Sequence, residues 1–295
     1  MNTVEIIRKQ AETLLTKGEI SCFIGFGKGQ LPHHSPPLFI DKAQDATQLI
    51  WDEYCIANLA KYLLNFSHQE GKIGLVVKGC DSRGVLRLIQ DKQLTREKLL
   101  LIGVPCRGMK DVSGLTDLSQ TAGLPLAAKC LACLYPNPVI YDILAAAELE
   151  PSAADRFKDV DEIEKLDIPQ RHAFWQEQFS RCIRCYACRN ICPACSCRQC
   201  YLEVPRVDWH GKAVDPGENV NFNLTRAMHV AGRCIECGEC ERACPVGIPI
   251  MAINKKIIRE IGDLFGSYDA GVELAQKPPL SCCRADDPDT FESRF

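Results

Sequence analysis

Apolar residues recur at helical spacing in the first segment, where Val4, Ile7, Ala11, Leu14 and Leu15 share a face and Gly18 follows. The pattern predicts an amphipathic helix over about residues 3–17. Residues 20–26 read as a strand, Pro32, Pro36 and Pro37 as punctuation of a loop, and Leu49, Ile56, Ala60 and Leu63 as one face of a long helix over 46–65. KIGLVVK (72–78) and LLLIGV (99–104) are short unbroken apolar runs and predict buried strands, with a helix over 82–91 between them. Strands alternating with helices predict an α/β domain with a mainly parallel sheet over residues 1–145.

From residue 146 to 178 the pattern loosens and becomes acidic, with Asp155, Asp159, Asp161, Glu162, Glu164 and Asp167. This predicts a connector of short helices whose charges form a solvated face, partner docking being the alternative. A helix is expected over 172–180, and helical periodicity returns at 224–231 and 250–261. The stretch 263–295 reads as a tail, extended from Lys277 by Pro278, Pro279 and Pro288.

Candidate chemistry lies in the cysteines. Cys182, Cys185, Cys188 and Cys192, followed by Pro193, read C-x-x-C-x-x-C-x-x-x-C-P, and Cys234, Cys237, Cys240 and Cys244, followed by Pro245, repeat that spacing. Such a run is the ligand pattern of a 4Fe-4S cluster, and in two-cluster ferredoxins the fourth Cys serves the other cluster. The expected sets are therefore Cys182, Cys185, Cys188 with Cys244, and Cys234, Cys237, Cys240 with Cys192. Structural zinc favours two Cys pairs across a loop, and disulfide frameworks belong to short secreted chains. The link between the ladders is longer than in compact ferredoxins, which points to a mainly α-helical dicluster ferredoxin domain over 179–262.

Composition narrows the classes. The chain has 295 residues, nineteen of them Cys, 46% hydrophobic and 25% charged, which are globular values. A net charge of -3 and a pI near 6.1 give no basic field for nucleic acid. No apolar run reaches a membrane span and no secretory start is visible, so the expectation is a cytoplasmic protein whose many thiols bind metal clusters.

A second constellation sits in the α/β domain. Cys80 follows one buried strand, Cys106 follows the other, and Cys130 and Cys133 form a C-x-x-C pair. Carboxyl ends of strands are where open α/β sheets bind ligands. Three readings stand: a third 4Fe-4S site, small core hydrophobes, or a thiol activated at a helix start beside Arg83 or Arg107. Asp81 or Ser82 is the candidate cap of that helix. Cys195, Cys197 and Cys200 are candidates for a further metal site, with Cys282 or Cys283 or a partner completing it, or for a shield over the first cluster. Cys22 and Cys55 read as core. The six histidines show no metal spacing, His33 and His34 reading as exposed, and Trp51, Trp175 and Trp209 read as packing. Arg181, Arg184, Arg189, Arg233 and Arg242 lie among the ligands, with solvation as their default state.

IGFGKG (24–29), VKGCDSR (77–83), Val104-Pro105-Cys106, the Cys130–Cys133 pair and NPVIYD (137–142) resemble the beta-subunit family of deazaflavin-reducing hydrogenases and formate dehydrogenases. CIRCYACRNICP (182–193) is similar to the ferredoxin part of the branch linked to heterodisulfide reductase. The resemblance implies an electron-transfer subunit of a multi-protein complex of anaerobic metabolism, and it favours the third cluster. It further implies either a relay among hydrogenase, formate dehydrogenase, flavoprotein or heterodisulfide-reductase-like partners, or a subunit that itself holds FAD and reduces a deazaflavin. For the flavin, Lys28, Lys78, Ser82 and Arg83 are the candidate phosphate contacts, although Gly25-Phe-Gly27-Lys-Gly29 is no dinucleotide fingerprint because Pro32 stands where a helix should begin.

Overall fold

The chain divides into two units, Met1–Asp155 and Arg156–Phe295, with the boundary inside the acidic stretch. The computed structural model describes residues 2–66, 69–113, 123–203, 211, 213–285 and 287. His68, Trp209, His210 and Pro288 lie outside the described residues.

The first unit opens with α1 (Thr3–Thr16), started by a reciprocal box in which Asn2 accepts from the Glu5 amide and Glu5 accepts from the Asn2 amide, both at 2.9 Å. Its strands are β1 (Cys22–Gly27), β2 (Pro37–Ile40), β3 (Leu49–Ile50), β4 (Ile73–Val77), β5 (Leu99–Gly103) and β6 (Ile143–Leu144). They form one mixed sheet in the order β2-β1-β4-β5-β6, with β3 also on β1. β1, β4, β5 and β6 run parallel, and β2 and β3 run antiparallel to β1. Every residue of β1 and β4 is buried, which explains their unbroken apolar runs. Phe23, Leu75 and Leu101 are wholly enclosed, each worth about 1.5–3 kcal/mol relative to exposure. Pro37 begins edge strand β2, where its missing amide costs no ladder bond.

The long helix predicted over 46–65 does not form. Leu49 and Ile50 pair with β1 instead, and short 3-10 turns at Ala43–Gln48 and Ala60–Phe66 flank an irregular stretch. Asp52 accepts from the Tyr54 amide at 2.9 Å and Asn58 from the Ala60 amide at 3.0 Å, side-chain bonds that compete with a helix. The apolar residues that suggested a helix face, Leu49, Ala60 and Leu63 among them, are buried all the same. α2 (Gly79–Gln90) starts earlier than the predicted helix, with Lys78 as its N-cap and Asp81 in its first turn. A short α3 (Ala128–Leu131) carries Cys130.

In the second unit the elements are α4 (Lys158–Glu164), α5 (Ile168–Ser180), α6 (Ala187–Asn190), α7 (Pro216–His229), α8 (Glu239–Arg242) and α9 (Ile250–Phe265), with no strand among the described residues. Asp167 caps α5 and Asp215 caps α7, each followed by Pro in the first turn. α7 begins well before the periodic stretch at 224–231, because its buried face includes Asn219, Asn223 and Arg226 as well as Phe222. Three of the acidic charges are paired as well as solvent-facing. Asp159, Asp161 and Glu164 on α4 pair with Lys255, Arg259 and Lys256 on α9 at 3.0, 2.6 and 2.9 Å. Beyond α9, Tyr268 is buried and donates to the Gly232 carbonyl at 2.9 Å, so residue 263 does not begin a free tail.

Candidate metal centres

Both cysteine ladders adopt one backbone trace. In the first, Arg184 and Tyr186 have φ of +55° and +59°; at the matching positions of the second, Glu236 and Gly238 have +56° and +66°. Left-handed conformations at Arg, Tyr and Glu are uncommon and cost energy. Here they bend each C-x-x-C-x-x-C run around its sulfurs before α6 or α8 begins. The same bond then recurs, from the Asn190 amide to the Tyr186 carbonyl at 2.9 Å and from the Arg242 amide to the Gly238 carbonyl at 3.0 Å.

The two ladders meet. Cys182, Cys185 and Cys188 line a cavity together with Cys244 of the other ladder, closed by Tyr186, Phe222, Asn223, Val246, Ile248 and Ile250. Cys192 of the first ladder lies in the electrostatic reach of Cys234 and Cys240 of the second. Burial drives the Cys234 thiol up and the Cys240 thiol up to about 12, Cys192 adding to both, while Arg226 opposes the rise at Cys240. Cys192 goes the other way, down to about 6: the Cys195 thiol hydrogen-bonds to it and Arg226 lies close, outweighing its burial. Amide–sulfur bonds, a lever on cluster potential, are already made: the Ile248 amide donates to Cys244 Sγ at 3.4 Å. Among the described residues no three His, Cys, Asp or Glu side chains converge tightly enough for a single metal ion.

The third group is brought together by the sheet. Cys80 lies in the first turn of α2, just past β4, and Cys106 just past β5, the parallel neighbour. Cys106 senses Cys130 and Cys133, and Cys80 senses Cys106. The Gly108 amide donates to Cys106 Sγ and the Met109 amide to Cys130 Sγ, both at 3.4 Å. A Cβ on Gly79 would stand 1.7 Å from the Tyr135 carbonyl oxygen, so only glycine admits the segment after Cys133 against the start of α2. The activated-thiol reading loses its basis here. Burial and Asp81 push Cys80 up, and burial lifts Cys106 to about 11 despite Lys78. Arg83 lies over the Tyr135 ring at 4.3 Å and Arg107 is exposed.

Of the residues offered to a flavin, only Lys28 is exposed. Lys78 is 2% exposed, its Nζ 2.9 Å from Asp81 and donating to the Ala57 carbonyl at 3.0 Å. Ser82 donates to the Gly79 carbonyl and accepts from the Val139 amide, and Arg83 is buried. Lys78 and Ser82 thus act as internal struts under Cys80.

Cys195 is half-buried beside Cys192, Cys197 is exposed, and Cys200 packs against the core of the second unit. Cys282 is half-buried and Cys283 exposed. Cys22 and Cys55 are core residues. His33 is not exposed but half-buried, its ring 4.8 Å from that of Tyr54. Trp51 meets Phe26 edge-on and Trp175 stacks on Phe179. Arg184 departs from solvation: it is 6% exposed and donates to the carbonyls of Glu218 and Gly211 at 2.8 and 3.1 Å. Arg226, adjacent to sulfurs of both ladders, is the residue that periodicity overlooked, since a lone Arg in a helix reads as surface. Its signal was the polar series Asn219, Asn223, Arg226 at i, i+4, i+7.

Paired ladders on this backbone define an iron–sulfur protein of the ferredoxin class, and the family described as "4Fe-4S dicluster domain" matches residues 178–248. A relative from Methanocaldococcus jannaschii, "F420-dependent formate dehydrogenase subunit beta", is 40% identical over 106 residues, 36% of this chain and 27% of that one. The stretch aligned is thus about a quarter of that relative's length. From Methanococcus maripaludis, "F420-dependent formate dehydrogenase 1 subunit beta" is 23% identical over 90% of both chains. Among solved structures, a chain of the F420-reducing [NiFe] hydrogenase complex from Methanosarcina barkeri aligns over 37% of this chain and 38% of that one, at 20% identity and a TM-score of 0.30. The chain is thus similar to formate dehydrogenase beta subunits, and the dicluster match together with these relatives supports an iron–sulfur electron-transfer subunit. No described helix is long and apolar enough to cross a membrane.

Proposed function

We propose that this chain is a cytoplasmic relay subunit of a multi-protein oxidoreductase complex, passing single electrons between a formate dehydrogenase, hydrogenase or flavoprotein partner and a heterodisulfide-reductase-like or ferredoxin-type acceptor. The observation that carries this reading is the cavity lined by Cys182, Cys185, Cys188 and, from the other ladder, Cys244. The crossed sets would each hold one 4Fe-4S cluster, with Cys192 joining Cys234, Cys237 and Cys240. A 4Fe-4S cluster supplies reversible one-electron exchange with little change of shape. What the chain contributes is position, burial and hydrogen bonds to sulfur. Phe222, Ile248 and Ile250 exclude water from the first site, and the left-handed turns bend each ladder around its sulfurs.

Cys80, Cys106, Cys130 and Cys133 are proposed to hold a third cluster. Their mutual proximity at the carboxyl edge of β4 and β5 supports this, as do the amide–sulfur bonds and the cations Lys78 and Lys129 near Cys80. Anaerobic purification with iron, sulfide and flavin counts tests the proposal. About twelve irons per chain are expected, without flavin. Eight would remove the third site, and stoichiometric flavin would shift the function to direct reduction of a deazaflavin.

A further inference from the structure

Arg226 is placed where a surface arginine has no reason to be. It is 4% exposed, and Nη2 donates to the Cys188 carbonyl at 3.1 Å. Its Nε and Nη1 are also buried, without a hydrogen-bond partner among the described residues. A guanidinium carries five N–H donors and does not give up its charge in a protein. Burying it with donors unmet is costly unless negative charge lies close by. The charges that act on it are sulfurs: Cys240, Cys192, Cys188 and Cys195, drawn from both ladders.

The helix that carries it joins the two ladders in sequence and turns one polar stripe toward them. Asn219 donates to the Cys182 carbonyl at 2.8 Å, Asn223 donates to the Asn219 carbonyl at 2.8 Å and lines the first cavity, and Arg226 follows. Asn219 and Arg226 tie α7 to the first ladder through the Cys182 and Cys188 carbonyls, and the Arg226 charge also lies within electrostatic reach of Cys240 in the second.

We propose that Arg226 acts electrostatically: it is one fixed positive charge, shared by the two ferredoxin clusters, that raises both reduction potentials. The inference rests on the two-cluster reading given above. On reduction a cluster gains one electron and becomes one unit more negative, with no bond made or broken. A desolvated cation in contact favours that state far more than a solvated one would. The cluster of Cys192, Cys234, Cys237 and Cys240 feels the larger effect, since Cys240 and Cys192 act most strongly on the guanidinium.

The test is a potentiometric titration of the anaerobic, iron–sulfur-reconstituted full chain, with dithionite as reductant and EPR as readout, for the native protein, Arg226→Gln and Arg226→Lys. Arg226→Gln keeps a donor for the Cys188 carbonyl and removes the charge. It is expected to retain iron and to lower the equilibrium constant for reduction of the more affected cluster about tenfold, or about 59 mV for one electron, with a smaller shift in the other. Arg226→Lys is expected to restore most of it. Unshifted potentials in Arg226→Gln would overturn the proposal, and so would an equal shift in Arg226→Lys. If Arg226→Gln loses iron, Arg226→Lys decides. Native iron and potentials there support the charge, and loss of iron there reduces Arg226 to a structural anchor. A native chain with no reversible signal would sink the relay reading itself, whereas a normal native titration beside an unshifted Arg226→Gln sinks only this inference.

Discussion

The two units of this chain hold their cysteines by opposite means. In the first unit the sulfurs rest on a finished scaffold: Phe23, Phe26, Leu75, Leu101 and their neighbours form a core without Cys80, and Cys106 and Cys130 merely pack against it. In the second unit Cys182, Cys188 and Cys240 are part of the core, alongside Phe179, Phe222, Ile248, Ile250 and Met251. One unit would fold and then offer a site; the other would fold around its metal.

Removing the metal should therefore separate the units most sharply. Anaerobic chelation of iron from the full chain is expected to abolish amide-exchange protection in α5, α7 and α9 while β1, β4 and β5 stay protected. Equal loss in both would erase the contrast. Next in size is Asp81→Asn, which leaves the enclosed Lys78 ammonium without its counterion. Breaking such a buried pair costs about 3–5 kcal/mol, and urea unfolding should show it in the first unit only, with second-unit iron unchanged. Cys106→Ala is milder. It should remove about four irons but, from a half-buried position, lower the stability of the first unit by no more than about 1–2 kcal/mol.

The smallest effect concerns the strap of α4 on α9. The hydrogen bond from Lys256, with help from Arg171, holds the Glu164 carboxyl below its ordinary range against a small opposing burial effect. A depressed carboxylate contributes stability above its unfolded pKa of about 4.3, and that contribution is lost as pH falls through the lower folded value. Glu164→Gln should therefore flatten the acid limb of a stability–pH profile by a fraction of a kcal/mol, roughly the worth of an exposed pair. A mutant profile that overlays the native one would show the strap to be ornamental.

Legibility in the sequence followed the same divide. KIGLVVK and LLLIGV announced β4 and β5 because both faces of those strands are buried, and the ladders announced themselves by spacing alone. The stretch from Leu49 to Leu63 misled because its apolar spacing mimics a helix, while Asp52 and Asn58 spend their side chains on local turns. Asp159, Asp161 and Glu164 read as solvated since their partners on α9 lie far along the chain. Arg184 was misread and Arg226 passed over for one reason: composition treats an arginine as surface, and only the fold shows that both are enclosed.

Two redox-active clusters on crossed ladders in the second unit would be separable by Cys244→Ser in the full chain, purified without oxygen and read by EPR after dithionite. The signal altered or lost should be the one that also responds to Cys182→Ser, while the signal sensitive to Cys234→Ser persists. If Cys244→Ser instead removes the signal that depends on Cys234, the ladders are not crossed.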